Sequence, residues 1–316
     1  MPFLSAFRSL PLILCIVLFA LHVLADHTHH GHFGLDRATH RDLLSKRWLT
    51  IQPSDNNKLW PEATVKYTFD NSQAKKELEP ILKQAMELWY CSGLPKTFKL
   101  EKANVLKALD KKKTLRIYYN TEGIMSTSNG IPNTSNGPVS HLSTRDDIGM
   151  MDPVANVAHE IGHMFGLLHE HQDAVYWGSG LEGDEPVFEF NCKNLKDYED
   201  KTRGKSKDEI EGVDGICKSR EAAASAGFSA AEYLPIRGNT VSPHKLSAGS
   251  EDVDWDSIML YPSGAGGKQS TETSDNRAPV LLRRTKLNKD DDRLIQPVVR
   301  PSKKDVDALK KLYNIA

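Results

Sequence analysis

Apolar and polar residues alternate through Thr64-Val-Lys-Tyr-Thr-Phe-Asp70, and this two-residue period predicts a strand over 64–70. Directly afterwards Leu78, Ile81, Leu82, Ala85, Met86 and Trp89 recur at helical spacing. A helix capped by Ser72 and running to about residue 90 is expected there, with that stripe in the core. Leu115–Tyr119 and Val139–Leu142 read as further strands, Lys111 to Lys113 as a solvated turn, and His141 as a structural residue on its strand. Residues 123–137 are rich in Ser, Asn and Gly and contain one glycosylation sequon, Asn133-Thr134-Ser135. Asp152 and Pro153 are an N-cap and first helical residue, so a second long helix begins there. Residues 178–250 have few apolar runs and predict irregular structure with short helices, one of them over the Ala-rich 221–233. Ile258, Met259 and Leu260 form a buried strand or turn, and Ser302-x-x-Asp305 is a near capping box. It opens a C-terminal helix that packs Val306, Leu309, Leu312 and Tyr313 on the core.

With 316 residues and 39% apolar content the chain can build a sizeable core. No internal repeat or second-domain boundary is visible, so residues 48–316 are expected to form a single domain. A net charge of −1 argues against a nucleic-acid binder. Arg8, the apolar run from Leu12 to Leu21 and the small residues of Val23-Leu24-Ala25 describe a signal peptide over 1–25, too short to be a membrane anchor. The protein is expected to be secreted and extracellular. Residues 26–47 carry His27, His29, His30, His32 and His40 and end at Lys46-Arg47. This is a solvated pro-segment that a processing protease would remove after the dibasic pair, so that the mature chain starts near Trp48. Once Cys15 leaves with the signal, Cys192 and Cys217 are the preferred disulfide, closing a loop worth about 3–4 kcal/mol in the chain-entropy model. Cys91 is then the odd thiol, and pairings that use it stay open.

The chemistry concentrates in His159-Glu160-x-x-His163-x-x-Gly166-x-x-His169. On a helix His159 and His163 project from one face, and Glu160 lies about 100° around from His159, within reach of a metal-bound water without being a ligand. Were the helix to continue, His169 would point about 80° off that face, roughly 9 Å beyond His163. A left-handed Gly166 ends the helix and turns His169 back to the same ion. Three neutral imidazoles leave a fourth position open on zinc, the mark of a catalytic site.

These residues resemble the extended zinc signature of the metzincin endopeptidases and, within them, of the astacin family, in which Glu170 follows the third histidine. Ser257-Ile258-Met259-Leu260-Tyr261 is similar to that family's Met-turn, and Trp60-Pro61 and Lys311-Leu312-Tyr313-Asn314 match in position. The resemblance implies that residues 48–316 are a single catalytic domain with a subdomain split near 170 and an α+β, metzincin-like fold: a mixed twisted sheet and the active-site helix in the N-terminal half, then a mostly irregular C-terminal half with a terminal helix. It implies one catalytic zinc ion on His159, His163 and His169, and Glu160 as the general base for peptide-bond hydrolysis in protein or peptide substrates. Met259 would be an apolar floor beneath the metal. Tyr261 would be a weak extra ligand that swings away to hold the oxyanion, and Glu170 would bind the new amino terminus. The substrate would add as a strand beside residues 123–131, and residues 262–267 would border the pocket past the scissile bond. Leu260 stands where the family usually has His, the usual disulfides are missing, and the separation from His169 to Met259 is long. Phe33-Gly34-Leu35-Asp36 partly echoes the family's latency motif, which makes Asp36 a candidate latency ligand. Two alternatives stay open: a metzincin of another family, and a secreted zinc-binding adhesion or binding module without turnover.

Overall fold

Alternation and helical periodicity become a sheet with two helices against it in the computed structural model, which describes residues 49–316 apart from 55–56, 105–109, 179–184, 237–247, 272–273 and 285–292. The expected signal segment and pro-segment, with Asp36 and Lys46-Arg47, lie outside the described residues. The elements are β1 (Asn57–Lys58), β2 (Thr64–Phe69), α1 (Ser72–Cys91), β3 (Lys99–Lys102), β4 (Leu115–Tyr119), β5 (Ser126–Thr127), β6 (Ile131–Pro132), β7 (Val139–Leu142) and α2 (Pro153–Phe165). Five strands form a mixed sheet in the order β3-β2-β4-β7-β5. Its first four strands are parallel, and β5 runs antiparallel to β7 at the edge. Val65, Leu115, Ile117 and Leu142 pack with Leu78, Leu82 and Trp89 of α1 and with Val157, Ile161 and Phe165 of α2 in one buried cluster. Burying such a stripe of large side chains is the main stabilising contribution of this half.

Two local expectations need correction. Asn71, not Ser72, caps α1, its side chain accepting from the Ala74 amide at 2.9 Å. Both residue types can cap, and extended backbone falls on Asn71. The Ala-rich segment is not one helix over 221–233. It forms a helix over Arg220–Ser225 and a 3₁₀ turn over Ser229–Glu232, because Gly227 at φ +59° breaks the run.

The C-terminal half is mixed and less regular: β8 (Phe188–Phe190), α3 (Tyr198–Thr202), α4 (Lys207–Glu211), α5 (Arg220–Ser225), β9 (Leu281–Arg283) and α6 (Lys303–Leu312). β8 and β9 pair antiparallel, a ribbon that the residue pattern does not signal. Around them Tyr176, Phe188, Leu195, Phe228, Tyr233 and Leu281 make a second apolar cluster. The Cys192–Cys217 disulfide lies inside it, while Cys91 is an exposed thiol. Leu260 is fully buried in this second cluster, which gives the apolar residue at that position a packing role. Among the described residues no helix is long and apolar enough to cross a membrane.

The terminal helix is tied to the Met259 turn by one carboxylate. Asp305 completes the capping box of α6 with Ser302. It also accepts from the Ser257 hydroxyl at 2.6 Å and the Ile258 amide at 2.9 Å. Burial pushes its pKa up to about 6 in spite of these donors. Replacing Asp305 by Ala leaves buried donors unmatched and removes the cap, so a loss of about 2–4 kcal/mol is expected. Urea unfolding checks it; an unchanged midpoint would contradict the assigned clamp.

Candidate metal centre

Helix α2 is positioned before any metal is considered. The Asp152 side chain accepts from the Ala155 amide at 2.8 Å, and Pro153 fills the first turn. Two indoles hold its flank: Trp60 Nε1 donates to the Met164 carbonyl at 2.8 Å and Trp89 Nε1 to that of Ala158 at 2.9 Å. Gly166 ends the helix at φ +104°, the left-handed cap that returns the chain toward His169. Gly162 is needed for another reason. A Cβ there would lie 2.5 Å from the Met259 sulfur, so the Met259 turn packs against bare backbone between the two helical histidines.

That packing brings three rings together. The Nε2 atoms of His159, His163 and His169 lie 3.0–3.2 Å from one another. Each Nδ1 faces an oxygen that can only accept: Ile258 O at 2.7 Å, Leu167 O at 2.8 Å and Gln172 Oε1 at 2.9 Å. The Gln172 amide is oriented by its nitrogen, which donates to the carbonyls of Ala231 and Leu234. Each ring proton therefore sits on Nδ1, and the three Nε2 atoms present lone pairs with no hydrogen among them. Burial lowers the pKa of His159 to about 4 and of His163 to about 3, and that of His169 well below its ordinary value. Protonation does not relieve the repulsion at neutral pH. A cation does: tetrahedral ligands about 2.05 Å from zinc stand about 3.3–3.4 Å apart, close to the spacing seen. Neutral imidazoles whose Nδ1 protons are donated to fixed oxygens are the donor set zinc takes. Among the described residues this is the one group of His, Cys, Asp or Glu that could hold a metal ion.

Other predicted site residues surround the triad. Glu160 is buried and burial pushes its pKa up to about 8, against a hydrogen bond from the Thr127 side chain. Thr127 lies on the edge strand β5, and its hydroxyl is 2.7 Å from that of Ser140 on β7. The second Glu160 oxygen, Oε2, is buried with no hydrogen-bond partner among the described residues. A dication at the triad would draw this carboxyl back toward its ionised form. The Tyr261 ring packs 4.3 Å from the His169 ring and 5.6 Å from that of His159, and burial raises its hydroxyl pKa. Met259 is buried beneath α2, and its carbonyl accepts from the Glu170 amide at 3.1 Å. Glu170 is not at the triad. Its Oε1 accepts from the Tyr176 hydroxyl at 3.2 Å and the Asp254 amide at 3.1 Å, and burial pushes its pKa up to about 8. The His171 ring stacks 5.2 Å from that of His169, its Nε2 donating to the Glu232 carbonyl at 2.9 Å.

Sequence reasoning missed Thr127, Gln172 and Glu232. Gln172 sits three residues past His169, a short spacing that could have flagged it; the other two reach the site only through tertiary packing. The site opens into a cleft of ≈ 350 Å³ that Ile124 and Met125 border on the sheet side and Ala265 and Gly266 on the other.

No protein-family model matches this chain, and no curated protein matches it. Among solved structures the chain is similar to high choriolytic enzyme 1, a hatching enzyme zinc-protease from Oryzias latipes (medaka fish). The identity is 14% and the TM-score 0.44, over 84% of this chain and 100% of that one. It is also similar to myroilysin at 14% identity and a TM-score of 0.36, over 82% of this chain and 96% of that one.

Proposed function

We propose that the protein is a secreted zinc endopeptidase that cuts protein or peptide substrates internally. The observation that carries this reading is the triad of unprotonated Nε2 atoms with a buried carboxylate one residue from its first member. His159, His163 and His169 would hold zinc, which would supply a Lewis acid able to lower the pKa of water to about 7. Glu160 takes a proton at Oε2 while Thr127 holds the carboxylate, and the same oxygen later protonates the leaving amine. The Tyr261 hydroxyl donates to the carbonyl oxygen as negative charge gathers on it. An extended substrate lies along β5, beyond which the sheet has no further strand among the described residues.

Activation uses Glu170. Thr50 bridges to Leu167, and the Leu168 amide donates to the Leu49 carbonyl at 2.9 Å, so the chain before Ile51 runs antiparallel toward His169 and Glu170. Cleavage after Arg47 would leave an ammonium on Trp48, next to the first described residue. Glu170 is a buried carboxylate with no Lys or Arg pair among the described residues, and a buried ammonium would match its charge.

Four outcomes are expected. Glu160→Ala should keep its zinc, measured by atomic absorption, while kcat on casein falls at least about 10³-fold; chelation should abolish the wild-type activity. Full activity in that variant would end the mechanism, and zinc binding without any wild-type proteolysis would favour the binding-module alternative. Tyr261→Phe should lower kcat about 10²- to 10³-fold with little change in KM, and an equal loss in both would contradict its role. The uncut chain should be nearly inactive until Lys46-Arg47 is cleaved, whereas an uncut form as fast as the mature one would dismiss the pro-segment.

A further inference from the structure

The charges of the cleft do not balance evenly. Three cations line it, Arg145, Lys196 and Arg277, together with two carboxylates besides Glu160: Glu122 and Glu232. The cations are answered nearby. Arg145 forms a two-pronged pair with Asp147, and Lys196 also lies within charge range of Asp147. Arg277 is gripped by Asp275 at 2.8 and 3.1 Å and donates to the Gly149 carbonyl at 3.0 Å. Glu232 has no such match. Among the described residues the basic group within 4 Å of it is His169, whose Nδ1 is 3.9 Å away. That nitrogen is not a cation, since its proton is donated to Gln172. Arg220 acts on Glu232 only from beyond ion-pair distance.

The backbone that presents this carboxylate is fixed. Ser229 donates from its amide and hydroxyl to Asp197 at 2.9 and 2.6 Å. The carbonyls of Ala231 and Glu232 accept from Gln172 and His171, both buried beside the triad. The Glu232 side chain itself is 53% exposed and faces the cleft. It lies on the Nδ1 side of the His169 ring, away from the Nε2 convergence, so it is not a fourth ligand. A pre-positioned, cleft-facing carboxylate with no cation at ion-pair distance among the described residues is a recognition group.

We propose that Glu232 selects substrates with a cationic side chain, lysine or arginine, beside the bond that is cut. The inference rests on the peptidase reading for its meaning, but its test needs no turnover. The zinc-loaded protein carrying Glu160→Gln, cleaved after Lys46-Arg47, is titrated into fluorescein-labelled peptide pools of otherwise random sequence, with lysine, norleucine or glutamate at the central positions. Anisotropy should show the lysine pool binding about five- to tenfold tighter than the norleucine pool at low salt, a gap that narrows as salt rises. Adding Glu232→Gln should bring the two pools together, and Glu232→Lys should shift preference to the glutamate pool. Equal binding of the lysine and norleucine pools, or a lysine preference that survives Glu232→Gln, overturns the proposal. Absence of proteolysis by the unsubstituted chain would instead strike at the peptidase reading and leave this measurement standing.

Discussion

Three imidazole nitrogens that can only accept hydrogen bonds are held 3.0–3.2 Å apart, and the rest of the fold serves to keep them there. Without a cation their lone pairs repel. Any ring that lost its Nδ1 partner could move its proton to Nε2 and relieve the repulsion. The oxygens that face the three Nδ1 atoms prevent this at three separate places. His163 is held by its own helix end through Leu167, His159 by the Met259 turn through Ile258, and His169 by Gln172. The orientation and tautomer of the donor rings are thus written into carbonyl positions as much as into the histidines.

The C-terminal half carries more of this support than its irregular appearance suggests. Gln172 is braced against the carbonyls of Ala231 and Leu234, which the disulfide-pinned second cluster supports. Leu260 in that cluster and Met259 in the first are adjacent residues, so the turn between them is anchored in both cores. A polar side chain at 260 would have to find hydrogen-bond partners in an apolar environment.

Most of the site was legible because its spacing is local. Asp152, Pro153, the two helical histidines and Gly166 lie on one helix, where period and cap chemistry determine direction, and His169 follows from the turn. The alternating strands and the disulfide were legible for the same reason. The remainder depends on long-range pairing. Strand β3 reads Lys-Leu-Glu-Lys and becomes a strand only by pairing with β2. Phe188 pairs with Arg283 across the whole C-terminal half. Thr127 meets Glu160 because β5 adds to β7 beside α2, and no periodicity within residues 123–137 encodes that contact. The Ala-rich segment shows the opposite limit: helix propensity over 221–233 was real, and one left-handed glycine overrode it.

The turn from Ser257 to Tyr261 is where stability and chemistry become one problem. Its Ile258 carbonyl fixes the tautomer of His159, and the Met259 sulfur fits the bare Gly162. The Met259 carbonyl orients Glu170, and the Tyr261 ring covers His169. A turn with so many duties cannot tolerate slack, yet its short length gives it little stability of its own. Asp305 supplies that stability from the first turn of a helix almost fifty residues later, through the Ser257 hydroxyl and the Ile258 amide. The terminal helix is therefore part of the metal centre's support, and a loosened α6 would be felt first as a misdirected His159.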